Sequence, residues 1–185
     1  MKKNTIFEGI QSIILNHKVP VNIEEQIRNE GIILDKSYLG FEDNICGEIK
    51  KEGDKFVINI SGVDHYYRKR FTMAHELAHF ELHKHLIGEG VDDNMEYKKL
   101  YRKNNKITNK EEAEANERAA QILMPEDAII ELAHLTGIVK LVEDKIDIDL
   151  LWLDYLSKKF QVSKEAFTIR LAKLSNKILP IQIQN

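Results

Sequence analysis

A single cysteine, Cys46, in 185 residues excludes an internal disulfide and fits a reducing, cytoplasmic compartment. It is remote from any motif, so it reads as a packing residue. Three prolines and nine glycines are too few for a proline-rich linker or a glycine-rich tail. Charge of one sign is also scarce. The net of −3 comes from 27 basic and 30 acidic residues of mixed order, so bulk electrostatic binding of nucleic acid is not expected. No apolar run approaches the length of a membrane span. The basic start, Met1-Lys2-Lys3, leads into Glu8, Gln11, Ser12 and Asn16, which a signal-peptide core would not carry. What remains is a chain 43% hydrophobic and 31% charged, ordinary for a soluble globular protein with one real core. A single domain over 1–185 is expected, with its core over 1–135 and a C-terminal helical subdomain over 149–175.

The run His75-Glu76-Leu77-Ala78-His79 carries the chemistry. On a helix, at about 100° per residue, His75 and His79 face the same way one turn apart. Two imidazoles at that spacing can grip one tetrahedral zinc ion, with Glu76 beside them to handle protons. Zinc needs a third protein ligand, and a catalytic site leaves the fourth position open. His85 has the spacing of the third histidine in the long metzincin motif, but that motif needs a glycine where this chain has Leu82. If the helix continues, His85 lies about 15 Å along its axis from His75, and His83 about 12 Å. Both are expected to be solvated histidines near a helix end.

A carboxylate is the better candidate. Thr108-Asn109-Lys110-Glu111 reads as a capping box opening a helix that ends at Met124-Pro125. Glu112, Ala115, Ala119 and Leu123 share one face, while Glu114 falls with Glu117, Arg118 and Gln121 on a face expected to be solvated. A carboxylate on an apolar, small-residue face is costly unless paired or bound to metal. A salt bridge from Glu112 to Arg68 or Arg70 is the plain structural reading. Zinc ligation by Glu112 is preferred, because the histidine pair supplies a use for it.

These residues resemble the ImmA/IrrE family of zinc metallopeptidases. The match comprises Arg68-Lys69-Arg70-Phe71-Thr72-Met73-Ala74-His75-Glu76-Leu77-Ala78-His79, then Glu112-Ala113-Glu114-Ala115-Asn116 with Ala119-Ala120-Gln121-Ile122-Leu123-Met124-Pro125. A third piece runs through Leu156-Ser157-Lys158-Lys159-Phe160 to Arg170-Leu171-Ala172. The resemblance implies that His75, His79 and Glu112 bind zinc and that Glu76 is the general base. It implies a bacterial or phage endopeptidase that cuts a helix-turn-helix repressor or antitoxin, often encoded nearby, to release a stress, mobile-element or toxin–antitoxin programme. Two positions depart from the family pattern. Ala78 stands where glycine is usual, and Arg118 where an aromatic is usual.

Along the rest of the chain, helical periodicity appears at 6–15 and 23–29, and later at about 66–85, 109–123, 126–135, 149–159 and 163–175. Short apolar or alternating runs at Ile32-Ile33-Leu34, Ile45 to Ile49 and Phe56 to Ile60 suggest three strands, the last two joined by a turn at Glu52-Gly53-Asp54. The expected fold is α+β: a mostly helical, zincin-like domain with a small antiparallel sheet beside the motif helix and a helix-turn-helix-like C-terminal segment. An exposed strand edge can hold an extended substrate, and the sequence leaves open whether Phe56–Ile60 is that edge. The polar stretch 86–107 is read as a solvated loop in preference to a flap.

In mechanism, Glu76 would take a proton from water as a peptide carbonyl is attacked, then pass it to the leaving amine. Tyr66, Tyr67, Tyr97, Tyr101 and His83 are candidate donors to the oxyanion. The rival reading is a non-proteolytic binding module or regulator that uses the C-terminal segment for a protein or DNA partner. Its second helix, with Arg170 and Lys173 among Glu165, Ala166, Phe167, Ile169 and Leu171, has few base-reading groups, so DNA contact is the least expected use. A structural zinc site is a third reading and would need a fourth protein ligand.

Overall fold

In chain order the elements are α1 (Lys2–Asn16), α2 (Ile23–Asn29), β1 (Ile33–Tyr38), β2 (Gly47–Glu52), β3 (Lys55–Ser61), α3 (Tyr66–His83) with a 3-10 turn at Lys84–Leu86, α4 (Asn109–Leu123), α5 (Glu126–Thr136), β4 (Val139–Val142), β5 (Lys145–Ile148), α6 (Leu150–Phe160) and α7 (Lys164–Ile178). The computed structural model describes residues 2–38, 46–88, 109–142 and 145–179. Most of the polar 86–107 stretch, Thr108, expected to open the capping box, and Tyr97 and Tyr101 therefore lie outside the described residues. The mostly helical α+β class expected from periodicity is the class observed. By its internal contacts the chain divides into one unit at Asn22–Ala119 and another made of Met1–Val21 and Ala120–Asn185.

The Asn22–Ala119 unit holds the motif helix. Its sheet has the order β1-β3-β2. Strands β2 and β3 form the expected antiparallel hairpin, from Gly47 opposite Ile60 to Glu52 opposite Lys55. The two-residue turn needs positive φ at its first position, and Gly53 supplies it at 58°. Strand β1 docks on the other side of β3 and runs parallel to it, so the sheet is mixed where an antiparallel one was expected. The hydrophobic pattern marks which face is buried but not which neighbour a strand chooses. Strand β3 is central, so Phe56–Ile60 offers no free edge to a substrate.

Helix α3 lies on the face of the sheet that carries Phe56, Ile58 and Ile60, the two isoleucines fully buried, and its own Ala74, Leu77 and Ala78 are at 0–1% exposure. Phe80 meets Phe56 edge-on with ring centroids 5.0 Å apart. Helix and sheet approach closely at Gly47, where any side chain would collide with the Thr72 methyl group. Helix α2 starts at Asn22, whose side chain accepts the Glu25 N–H at 3.2 Å. It buries Ile23 and Ile27 completely.

In the other unit, α1 packs on α5, closely enough that a Cβ at Gly9 would stand 2.9 Å from Leu135. Helix α5 ends at Gly137, which is left-handed with φ 63°. The β4–β5 hairpin was not anticipated from the sequence, although Lys145-Ile146-Asp147-Ile148 alternates. Asp149 caps α6 by accepting from Leu151 and Trp152, Gln161 closes it in the left-handed region, and Ser163 caps α7. Phe160 and Phe167, at 0–1% exposure, bind these two helices together. Arg170 is buried and donates through Nε to the Met124 carbonyl at 3.3 Å. The most prominent basic residue of the helix-turn-helix-like segment is thus committed to holding the unit together.

Candidate metal centre

One helical turn separates His75 from His79 on α3, and their Nε2 atoms stand 3.0 Å apart. Glu112, in the first turn of α4, brings one oxygen to 3.3 Å from His75 Nε2 and the other to 3.6 Å from His79 Nε2. Two imidazole nitrogens and a carboxylate converging on one point need a cation or a proton between them. For tetrahedral zinc at about 2.0–2.1 Å from each donor, the donors are separated by about 3.3–3.4 Å, and the observed spacings bracket that value. The residues present therefore fit the ion. Among the described residues these three form the one group of His, Cys, Asp or Glu with metal-binding geometry. His79 is 3% exposed and His75 16%, but the Glu112 side chain is 48% exposed. The cluster is buried from the helix side and open beside the carboxylate. Glu112 lies on the expected small-residue face of α4 but is less buried than expected there, whereas Ala115, Ala119 and Leu123 of the same face are fully covered. Glu112 engages the two histidines rather than Arg68 or Arg70.

The electrostatics match the geometry. Hydrogen bonds from His75 and then His79 hold the Glu112 carboxyl well below the usual carboxylate range, against its partial burial. Burial disfavours the charged form of His75, but the Glu112 hydrogen bond and the nearby Glu76 and Glu112 charges outweigh it and raise its pKa. Glu76 is 8% exposed. Its burial raises its pKa despite the neighbouring His75 and His79, with Glu112 and Glu48 adding to the rise.

Each histidine uses its second nitrogen as well. His75 Nδ1 lies 3.1 Å from Asn116 Oδ1. His79 Nδ1 lies 3.1 Å from His83 Nδ1, and His83 Nε2 lies 3.1 Å from Glu114 Oε2. This corrects the expectation that His83 is solvated, since it is 4% exposed and locked behind His79. Glu114 is likewise only half exposed, at 47%, and engaged. The signal for His83 was the continued four-residue stripe 75-79-83, set aside because a residue two turns on is too far to be a ligand. That distance argument holds for the ion and fails for a ligand's partner. Asn116 was passed over, although it follows Glu112 by four residues and so shares its side of α4. His85 is exposed, as expected. His83 is also removed from the candidate oxyanion donors, because both its nitrogens are engaged away from the cluster. Tyr66, 53% exposed at the start of α3, faces the Arg70 guanidinium.

Comparison with solved structures finds similarity to a Mycobacterium tuberculosis transcriptional regulator, with a TM-score of 0.52 at 16% identity, over 86% of this chain. That identity supports a shared fold, and the chain spans 42% of the regulator's length. No curated protein matches the chain. The model of the IrrE N-terminal-like domain, peptidase M78, matches residues 41–172, which include α3, α4 and every residue of the cluster. The chain belongs to the IrrE N-terminal-like, peptidase M78, family.

Proposed function

We propose that the chain is a zinc-dependent endopeptidase that cuts a specific protein regulator, a bacterial or phage repressor or antitoxin. The observation that supports it most is the convergence of His75, His79 and Glu112 at tetrahedral spacing, with the buried carboxyl of Glu76 adjoining them on the same helix. A zinc ion there would polarise a peptide carbonyl and acidify a water molecule. His75 and His79, from a single helix, and Glu112, from a second helix, are the residues that would hold the ion. Glu76, whose pKa burial raises, would accept the proton of the attacking water and deliver it to the leaving amine nitrogen. The half-open side at Glu112 gives a peptide room to enter. A structural zinc site would need a fourth protein ligand, and among the described residues the group has three.

The choice of a regulator as substrate rests on the family resemblance. The alternative, a non-proteolytic module that binds through α6 and α7, has less behind it, because Arg170 is buried in the unit's own packing. The test is to measure bound zinc per chain and cleavage of candidate helix-turn-helix regulators, any encoded beside this chain first, for wild type, Glu76→Gln and Glu112→Ala. Glu76→Gln should keep zinc and lose cleavage, and Glu112→Ala should lose both. Biological derepression that survives Glu76→Gln would instead favour the binding-module reading.

A further inference from the structure

His83 and Glu114 lie outside the three-residue ligand set yet are joined to it in one line: His79 Nδ1 to His83 Nδ1 at 3.1 Å, then His83 Nε2 to Glu114 Oε2 at 3.1 Å. A neutral imidazole carries one N–H and one lone pair, so pinning one end of such a line sets every proton in it. A carboxylate only accepts, and Lys110 Nζ stands 3.6 Å from the other Glu114 oxygen. His83 Nε2 therefore donates, and its Nδ1 presents a lone pair. His79 Nδ1 must then donate to that lone pair. Its Nε2, the atom 3.0 Å from His75 Nε2, is left with a free lone pair aimed into the cluster. The opposite order would put a proton on His79 Nε2, where a metal has to sit. Burial removes water as a substitute acceptor, because His79 and His83 are 3% and 4% exposed.

We infer that His83 and Glu114 are positioning residues that set His79 in its Nδ1–H tautomer and hold its ring so that Nε2 faces the metal. The arrangement is a carboxylate–histidine–histidine line, one imidazole longer than the direct carboxylate–histidine partnership common behind metal-binding histidines. Histidine at 83 suits the role because it can accept on one edge and donate on the other while filling the space behind His79. The inference rests on the zinc reading above.

The test is zinc affinity of the full chain, measured by competition with a chromophoric chelator, for wild type, His83→Leu, His83→Asn and Glu114→Ala. His83→Leu fills the space without an acceptor and should weaken zinc binding by about 10–100-fold. Glu114→Ala should weaken it by about tenfold. His83→Asn, whose amide oxygen can stand near the Nδ1 position and accept from His79, should recover most of the loss. In nitrogen-15-labelled, zinc-loaded protein the His79 Nδ1–H should give a slowly exchanging imidazole proton in wild type, lost in His83→Leu. Melting of the metal-free forms reports on the fold. If His83→Leu does not fold, Glu114→Ala and His83→Asn carry the comparison. Wild-type zinc binding with unchanged affinity in both His83→Leu and Glu114→Ala would overturn the positioning role while leaving the zinc site intact. No zinc on the wild type would remove the zinc reading, and the positioning role with it.

Discussion

Asn116 Oδ1 stands 3.1 Å from His75 Nδ1, on the helix that delivers Glu112 one turn earlier. Helix α4 therefore supplies both a direct candidate ligand and the group that orients another. With His75 Nε2 committed to the cluster, Nδ1 carries the proton and donates to the Asn116 oxygen. Asn116→Ala should weaken zinc binding by about tenfold, while Asn116→Asp, which keeps an acceptor and adds charge, should retain it. Chelator competition on the two variants checks this, and an unchanged dissociation constant in Asn116→Ala would show that the ring needs no such partner.

Zinc binding should be linked to proton release. His75 holds its proton above the ordinary imidazole pKa of about 6.5, because its bond to Glu112 and the nearby Glu76 and Glu112 charges outweigh burial. In the metal-free protein this pairing contributes stability that is fully present below about 6.5 and is lost as pH rises through the raised value. Glu112 has the opposite sign: its contribution is present above the ordinary carboxylate range of about 4.3 and is lost as pH falls through its depressed value. Zinc needs the unprotonated ring, so its affinity should fall on acidification by about tenfold per pH unit while His75 is protonated. Titrations of zinc affinity between about pH 5.5 and 8 measure the slope, and a flat profile would contradict the assignment of His75 as a ligand.

Gly47 is a packing requirement for the site. A Cβ there would collide with the Thr72 methyl group and stand 3.1 Å from both the Asn59 carbonyl oxygen and Ile60 Cδ1, pushing β2 away from α3. Gly47→Ala should destabilise the protein by about 1–3 kcal/mol. Thr72→Ser removes the nearest obstacle, so the double variant should recover part of that loss. Urea unfolding of the four proteins gives the coupling, and strict additivity would mean that the methyl contact is not the cause.

Two helix ends form an internal comparison. Gly137 closes α5 and Gln161 closes α6, both left-handed, with φ of 63° and 56°. Space is not limiting at Gly137, where a Cβ would meet only Lys140 Cε at 3.7 Å. The cost of Gly137→Ala is therefore backbone strain, about 1 kcal/mol. Gln161→Gly relieves the same strain and should stabilise by up to about 1 kcal/mol. Opposite shifts in thermal midpoint are expected, and equal signs would refute the shared cause.

Local rules recover the elements but not all their relations. Helix α2 at Ile23–Asn29 and helix α4 at Asn109–Leu123 fall where apolar spacing puts them, because that signal acts within a few residues. The β4–β5 hairpin was missed, since four-residue strands carry little periodicity. The antiparallel expectation failed at β1 alone, because pairing direction depends on which side of β3 the strand reaches. At the site, the face argument singled out Glu112, which the structure brings to His75 and His79, and it put Glu114 on a solvated face without foreseeing its contact with His83. A carboxylate on a helix flank looks solvated until a neighbour such as His83 is known to be there.

The sequence by itself determined that His75, Glu76 and His79 come together on one helix, because a 3.6-residue turn imposes that geometry wherever the helix packs. It also narrowed the third ligand to one side of α4. Only the tertiary structure decided how deeply each group is buried and that β3 lies at the centre of the sheet. It likewise decided that His83, Glu114 and Asn116 stand behind the ligands as their polar partners. The physical reason is that helical periodicity sets angles about one axis, whereas second partners are set by the approach of segments remote in sequence. That approach follows from packing small residues such as Gly47, Ala74 and Ala78 against their neighbours, which no local pattern specifies.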